Sequence, residues 1–293
     1  MNEKFKIVGI RPENKKTSEK IFRWYEGKPI FSMTIFSIIF FGCLFCDFFI
    51  TKNPSYVDLA NYNTAPDSQY FFGTDTMGRD IFSMIWYGGR ISIFIGIVST
   101  ILSTFIAVVY GAISGTASER VDTILMRVTE ILLSIPNLLL IILIQSTLGK
   151  PTIFSISFVI GITGWLSISK VVRTEVRQMR NSDYILAAKC MGGNFFYILR
   201  RHIFPNLISS IMFMVVMNVR SAIVAESTLS FMGIGLPLEI ISWGSMLSLS
   251  EKALLTDAWW IILVPGIFLV ALLLSLTDIG NYFRKKIIDA PHG

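Results

Sequence analysis

The chain is poor in the residues that do chemistry. Its 293 residues include two histidines, three cysteines and 16% charged side chains. His202 and His292 lie far apart, and neither an H-E-x-x-H nor a G-x-S-x-G pattern occurs. A phosphate-cradling G-x-x-x-x-G-K-[ST] loop is missing as well, because Gly149-Lys150 is followed by Pro151. These absences argue against catalysis, a resident metal or ATP binding in this chain. Cys43, Cys46 and Cys190 form no even framework, and the first two fall inside an apolar run, where they read as packing residues. No internal repeat or low-complexity tract interrupts the sequence.

What the chain has is hydrophobicity. At 53% hydrophobic residues and a mean hydropathy of +0.61, it is too apolar for a soluble domain of this length. The net charge of +6 would suit a nucleic-acid partner if the basic residues shared one face of a soluble fold. They sit instead between apolar runs, which excludes that reading. Six runs approach the roughly 20 residues that cross a bilayer: 30–50, 91–113, 128–146, 153–170, 207–225 and 258–277. The first is too long for a signal core and no A-x-A-like site follows it, so it reads as an uncleaved anchor. Pro136 predicts a kink in the third.

Lysine and arginine set the orientation. With the N-terminus inside, 20 of the 26 fall on inner segments and only Lys52, Arg79, Arg90, Lys150 and Lys252 on outer ones. Both termini and the 171–206 loop are then cytoplasmic. The chain divides into an inner segment 1–28, a first transmembrane helix 29–50, an outer loop 51–90, a five-helix core 91–283 and an inner tail 284–293. The fold class expected is all-α, with six transmembrane helices. The second outer segment, 226–257, is rich in small and apolar residues and reads as dipping back into the protein.

Three segments carry more information than their composition. Between two spans lies NSDYILAAKCMGGNFFYILRRHIFPN, residues 181–206. Ala187-Ala188 permits close backbone approach, Gly192-Gly193 offers a left-handed helix end, Asn194 suits a cap, and Pro205 closes the second helix of a hairpin. Outside, Gly73, Asp75, Gly78, Arg79 and Asp80 make a glycine-punctuated turn in which the three charges can form a network, followed by Ser83, Gly88, Arg90 and Ser92. Read plainly, this is a capped loop. After the fifth span comes AESTLSFMGIG, residues 225–235, then Ser242-Trp243-Gly244, in plain terms a helix end with an interfacial tryptophan.

Together these segments resemble the permease subunits of bacterial ABC importers of the oligopeptide, dipeptide and nickel branch. The first resembles that family's cytoplasmic coupling loop, the second its GTDxxGRDxxS…GxRxS signature, the third its AE-x-x-LSFLGLG…SWG segment. One departure stands out: the loop's usual Glu-Ala-Ala begins here with Leu186, and the nearest acid is Asp183. The resemblance implies a type I ABC importer permease fold and no cofactor in this chain. It implies as partners a second homologous permease, two ATPases that bind ATP and Mg, and an extracytoplasmic binding protein or lipoprotein. Asp183, Tyr184, Ala187, Ala188, Gly192, Arg201 and Pro205 are then the candidate ATPase-coupling residues. Peptides are the expected cargo, with nickel or a metal chelate as the alternative.

Arg220 lies inside the fifth span, where an arginine costs about 2.5–3.5 kcal/mol on insertion scales. The eight Ile, Phe and Val residues around it return roughly 3–4 kcal/mol, so it must face protein or water. It is read either as lining a pathway with Glu226 and Ser230, or as a structural or snorkelling group. Arg127 and Glu130 read as a surface ion pair. A secondary transporter would need acids at mid-membrane, and none is clearly placed there, while an intramembrane enzyme would need a catalytic set.

Overall fold

The computed structural model describes residues 29–180, 182–198, 201, 203–249 and 257–288. The inner segment 1–28, the last residues of the tail, and Asn181, Arg200, His202 and Lys252 lie outside these. Among the described residues the chain is all helical: α1 Ile30–Leu44, α2 Ile81–Thr116, α3 Glu119–Leu133, α4 Asn137–Thr147, α5 Ile153–Gly164, α6 Leu166–Arg180, α7 Asp183–Cys190, α8 Phe195–Ile198, α9 Phe204–Phe231, α10 Trp243–Ser248 and α11 Trp260–Ile288.

Helices α2, α9 and α11 are each long and apolar enough to cross a membrane alone. Two further helix pairs are long and apolar enough only when each pair is taken together, and both are bent. Pro136 lies between α3 and α4, which meet at 87°, since proline has no N–H to donate and its ring clashes with the preceding turn. Helices α5 and α6 meet at 43° across Trp165. The sixth apolar helix, α1, is only 15 residues long. It gives way to a short 3-10 turn over Cys46–Phe48, well before the end of the 30–50 run.

Helix α2 extends ten residues beyond its apolar run at the N-terminal end. Asp80 caps it, accepting from the Ser83 N–H at 3.1 Å, so residues 81–90 are helix and not loop. The face it buries is made mostly of small residues, among them Ser83, Gly88, Gly89, Ser92, Gly96, Ser99, Ser103, Ala107, Gly111 and Ser114, with isoleucines and Met84 confined to residues 81–95. Hydrocarbon gives apolar side chains no reason to cluster, so helix association depends on close packing and interhelical hydrogen bonds, for which small residues are suited. Around this face pack α5, α6 and α9, with α1 and α11 at its N-terminal end. Serine hydroxyls supply the polar contacts. Ser99 donates to the Ser157 carbonyl at 2.9 Å, and Ser103 accepts from Asn218 of α9.

The core forms three apolar clusters. One joins α1, α2, α10 and α11 around Trp243, another joins α2, α6, α7 and α9 around Val172 and Val176, and the third joins α2, α4, α5 and α9. Cys43 and Cys46 are buried and unpaired in the first region. Gly111 shows how tight the packing is: an added Cβ would lie 2.6 Å from Val172 Cγ1 and 2.7 Å from the Ser169 carbonyl. Gly111→Ala is therefore expected to push α2 off α6 and lower stability by about 1–3 kcal/mol. Gly266→Ala, at a position with nothing within 4 Å, should be neutral. Thermal unfolding of the detergent-solubilised protein checks both, and equal midpoints for the two variants would contradict the packing.

Candidate functional site

The polar loop folds as a hairpin of two short helices set against the end of the α2, α6 and α9 bundle. Helix α7 ends because Gly192 takes φ +85°, which closes the turn with the Gly193 N–H donating 3.0 Å to the Ala188 carbonyl. Asn194 then caps α8, its side chain accepting from the Tyr197 N–H at 2.8 Å. Pro205 does not close the second helix. It stands in the first turn of α9, where a missing N–H is harmless and its fixed φ suits a helix start.

The two alanines separate. Ala188 is buried with Ile185 against Val172, Val176, Leu207 and Ile211, so it fixes α7 to the bundle. Ala187 is exposed, and so are Asp183, Leu186, Cys190, Met191 and Gly192, with Arg201 and Pro205 further along. Nothing lies within 4 Å of a Cβ placed on Gly192. The outward face of α7 is thus a shallow surface of small and flexible side chains around one glycine corner. Tyr184 belongs to α7.

In the turn before α2, Asp75 and Arg79 pair closely. Arg79 Nε and Nη2 both reach Asp75 Oδ2 at 2.7 Å, while Asp75 Oδ1 accepts the Met77 and Arg79 N–H groups at 2.8 Å. Gly73 and Gly78 take positive φ at the ends of this turn. Asp80 does not join the expected three-charge network. Its carboxylate is committed to the α2 cap and to the Ser83 hydroxyl at 2.6 Å, because the helix N-terminus behind it offers free N–H donors. Arg90 holds α1 instead, pairing with Asp47 at 2.8 Å.

The second and third sequence segments, 134 residues apart, meet at Glu226. This side chain is fully buried in α9. One carboxylate oxygen accepts the Ser242 hydroxyl at 2.8 Å and the Ser230 hydroxyl at 3.0 Å, and the other accepts Ser92 at 3.1 Å and Ser227 at 3.4 Å. Four neutral donors on one carboxylate offset the cost of keeping it from water. Ser92 lies on α2 and Ser242 caps α10, so the group ties three elements together. Around it the chain is dense: a Cβ on Gly244 would lie 2.6 Å from Ser227 Cα. The Trp243 indole N–H donates to the Ile85 carbonyl at 2.9 Å. The segment after α9 does fold back, with Trp243 to Met246 buried.

Glu226 and Ser230 therefore sit inside protein, and Ser230 borders a cavity of about 630 Å³ that runs past Gln145, Gly233 and Leu238. Arg220 is half-buried, and its Nε has no hydrogen-bond partner. Beside its neighbour Ser221 opens a second cavity, of about 460 Å³, bordered by both helix breaks at Pro136 and Gly164 and by Met217 and Asn218. Arg127 and Glu130 form an exposed pair at 3.4 Å. Among the described residues no group of three His, Cys, Asp or Glu side chains could hold a metal.

One cluster escaped sequence reading. Asp122, on α3, is buried and accepts from Ser114, Arg173 and Arg177. A signal was present: residues four apart on a helix share a face, so Arg173 and Arg177 project together while Val172 and Val176 point into the core.

Straight and broken apolar helices around one small-residue helix, with a polar hairpin at one end, define a polytopic helical membrane protein. Residues 107–289 match the family model described as the binding-protein-dependent transport system inner membrane component. Bacillus subtilis has two similar proteins. The oligopeptide transport system permease protein OppC is 36% identical over 87% of this chain and 83% of its own, and the dipeptide transport system permease protein DppC is 35% identical over 76% and 69%. The fold resembles a chain of the inward-facing methionine ABC transporter MetNI, with a TM-score of 0.57 over 70% of this chain and 96% of that one, at 13% identity. The chain belongs to the family of binding-protein-dependent transport system inner membrane components.

The buried carboxylate yields a direct test. Glu226→Ala strands four serine hydroxyls and is expected to cost on the order of 3 kcal/mol, seen as an earlier unfolding midpoint of the purified protein. Glu226→Gln, which keeps the shape and one acceptor, should lose less. Equal midpoints for wild type and Glu226→Ala would contradict this role.

Proposed function

We propose that the chain is one permease subunit of an ATP-driven importer that carries oligopeptides or dipeptides across the bacterial cytoplasmic membrane. In this reading it crosses the membrane six times, with α1 and the two broken pairs each counted as a span. Both termini and the α7–α8 hairpin lie inside, on the side favoured by 20 lysines and arginines against five. The observation that carries the reading is the outward face of α7. Asp183, Leu186, Ala187 and Gly192 are exposed on a helix whose other face, through Ile185 and Ala188, is locked into the bundle. Such a helix can receive a push from outside the membrane and pass it to the spans.

The partners follow from the same reading. A second homologous permease completes the path, two ATPases bind ATP and Mg and dock on α7, and an extracytoplasmic binding protein delivers the peptide to the outer face. The chain itself hydrolyses nothing. ATP and loaded binding protein together favour the outward-facing state and hydrolysis releases it, which is a population shift between two states. The similarity to peptide permeases of Bacillus subtilis supports peptide as cargo. Leu186 in place of the family's glutamate leaves the contact to shape and to Asp183.

Gly192→Asp and Ala187→Asp test the docking face. In proteoliposomes holding the complete transporter, each variant should reach the membrane at normal level. Each should also lose ATP-dependent uptake of a labelled tripeptide and the stimulation of ATP hydrolysis by loaded binding protein. Uptake at the wild-type rate in both would overturn the docking assignment.

A further inference from the structure

Resting on that docking assignment, we propose that Asp122 is the positioning residue through which movement of α7 enters the membrane helices. Its carboxylate, only 2% exposed, collects four donors from two directions. The Ser114 hydroxyl of α2 reaches Oδ1 at 2.6 Å, Arg173 Nε reaches Oδ1 at 2.9 Å with its Nη2 on Oδ2, and Arg177 Nη1 reaches Oδ2 at 2.9 Å. One turn further along the same face of α6, Arg180 Nη1 donates to the Thr116 and Ala117 carbonyls at 3.1 and 3.3 Å, where α2 ends. Three basic residues of α6 thus grip the corner between α2 and α3.

What makes this a transmission point and not only an ion pair is its position. Helix α6 runs into α7 within two residues, and Ile185 and Ala188 of α7 pack on Val172 and Val176 of α6. Displacing α7 therefore displaces α6. The close fit of Val172 and Val176 against Gly111 and Gly115 already resists a slide of α6 along α2, and the clasp adds a polar constraint to it. A buried carboxylate that loses its guanidinium partners is left with an uncompensated charge, which is costly. Fit and clasp together forbid the slide, so α2 and α3 must follow α6. The break at Pro136 then lets α3 move while α4 stays behind. Arg127, Glu130 and Lys170 form a separate exposed set, and the exposed Glu119 borders Arg177 and Arg180 at the same corner.

The test uses the complete reconstituted transporter and measures ATP hydrolysed per labelled tripeptide imported. Asp122→Asn keeps the side-chain shape and the Ser114 contact but removes the charge. It should raise that ratio about tenfold, the size of an ordinary coupling free energy. The double variant Asp122→Arg with Arg173→Asp should restore part of the loss, which a general loss of stability would not permit. Glu130→Gln, on the exposed pair, should leave the ratio at the wild-type value. If Asp122→Asn does not accumulate, Arg177→Gln removes one half-exposed donor and carries the same test. An unchanged ratio in the accumulating variant would overturn the clasp. That failure is separable from failure of the docking assignment: Gly192→Asp uncoupled with Asp122→Asn coupled overturns the clasp alone, whereas both variants coupled overturns the docking surface itself.

Discussion

A carboxylate inside a membrane protein persists only if its oxygens are satisfied there, and among the described residues Glu226 of α9 and Asp122 of α3 are each buried against serines of α2. Ser92 of α2 donates to Glu226, and Ser114 of the same helix donates to Asp122. The 22 residues between these serines span about 33 Å of α-helix, close to the roughly 30 Å of hydrocarbon in a bilayer. The polar anchors thus stand at the two ends of the apolar stretch, and everything else in the fold is arranged between or around them.

Near the N-terminal end of α2, Glu226 gathers α2, the end of α9 and the returning helix α10, with the Trp243 indole closing the contact. Near its C-terminal end Asp122 gathers α2, α3 and α6. Between the anchors, contacts are of another kind: small residues, the Ser99 bond to the Ser157 carbonyl, the Asn218 to Ser103 contact, and the Tyr110 hydroxyl donating to the Leu125 carbonyl of α3 at 2.7 Å. That packing is close at Gly96, Gly111 and Gly115, and the two carboxylates add directional hydrogen bonds to the register it sets. A helix pinned at both ends behaves as a rod, and a rod can carry a displacement from the α7–α8 hairpin to the segment at the other end of α2. The two broken spans, α3 with α4 and α5 with α6, supply the places where other parts of the bundle can bend.

Much of this was legible in the sequence for identifiable reasons. Apolar runs and Pro136 announced the spans and the sharpest bend, and Gly192 and Asn194 announced the hairpin, since each of those signals is local. What stayed hidden depended on tertiary partners. Asp80 read as a member of a charge network because its neighbours are charged, yet the end of α2 claimed it first. Pro205 read as a stop because proline ends helices, but it also begins them. The Ala187-Ala188 pair read as one surface, although adjacent helix positions point about 100° apart and only one can face outward. Glu226 was read as a pathway residue because no local signal reveals that Ser92 and Ser242 would arrive from opposite ends of the chain.

The central claim is that α7, α6 and the inner end of α2 and α3 move as one body. Cys190 on α7 is exposed, and Thr123 on α3 is exposed on the other side of the clasp. Spin labels at Cys190 and at a Thr123→Cys substitution, in a background where Cys43 and Cys46 are replaced by serine, report the distance across it by pulsed electron resonance in the complete transporter. The account predicts that ATP binding leaves this distance distribution unchanged while shifting the distance from Cys190 to its counterpart across the permease pair. A change in the Cys190 to Thr123 distance on ATP binding would mean that the hairpin moves independently of the spans, and would contradict the account.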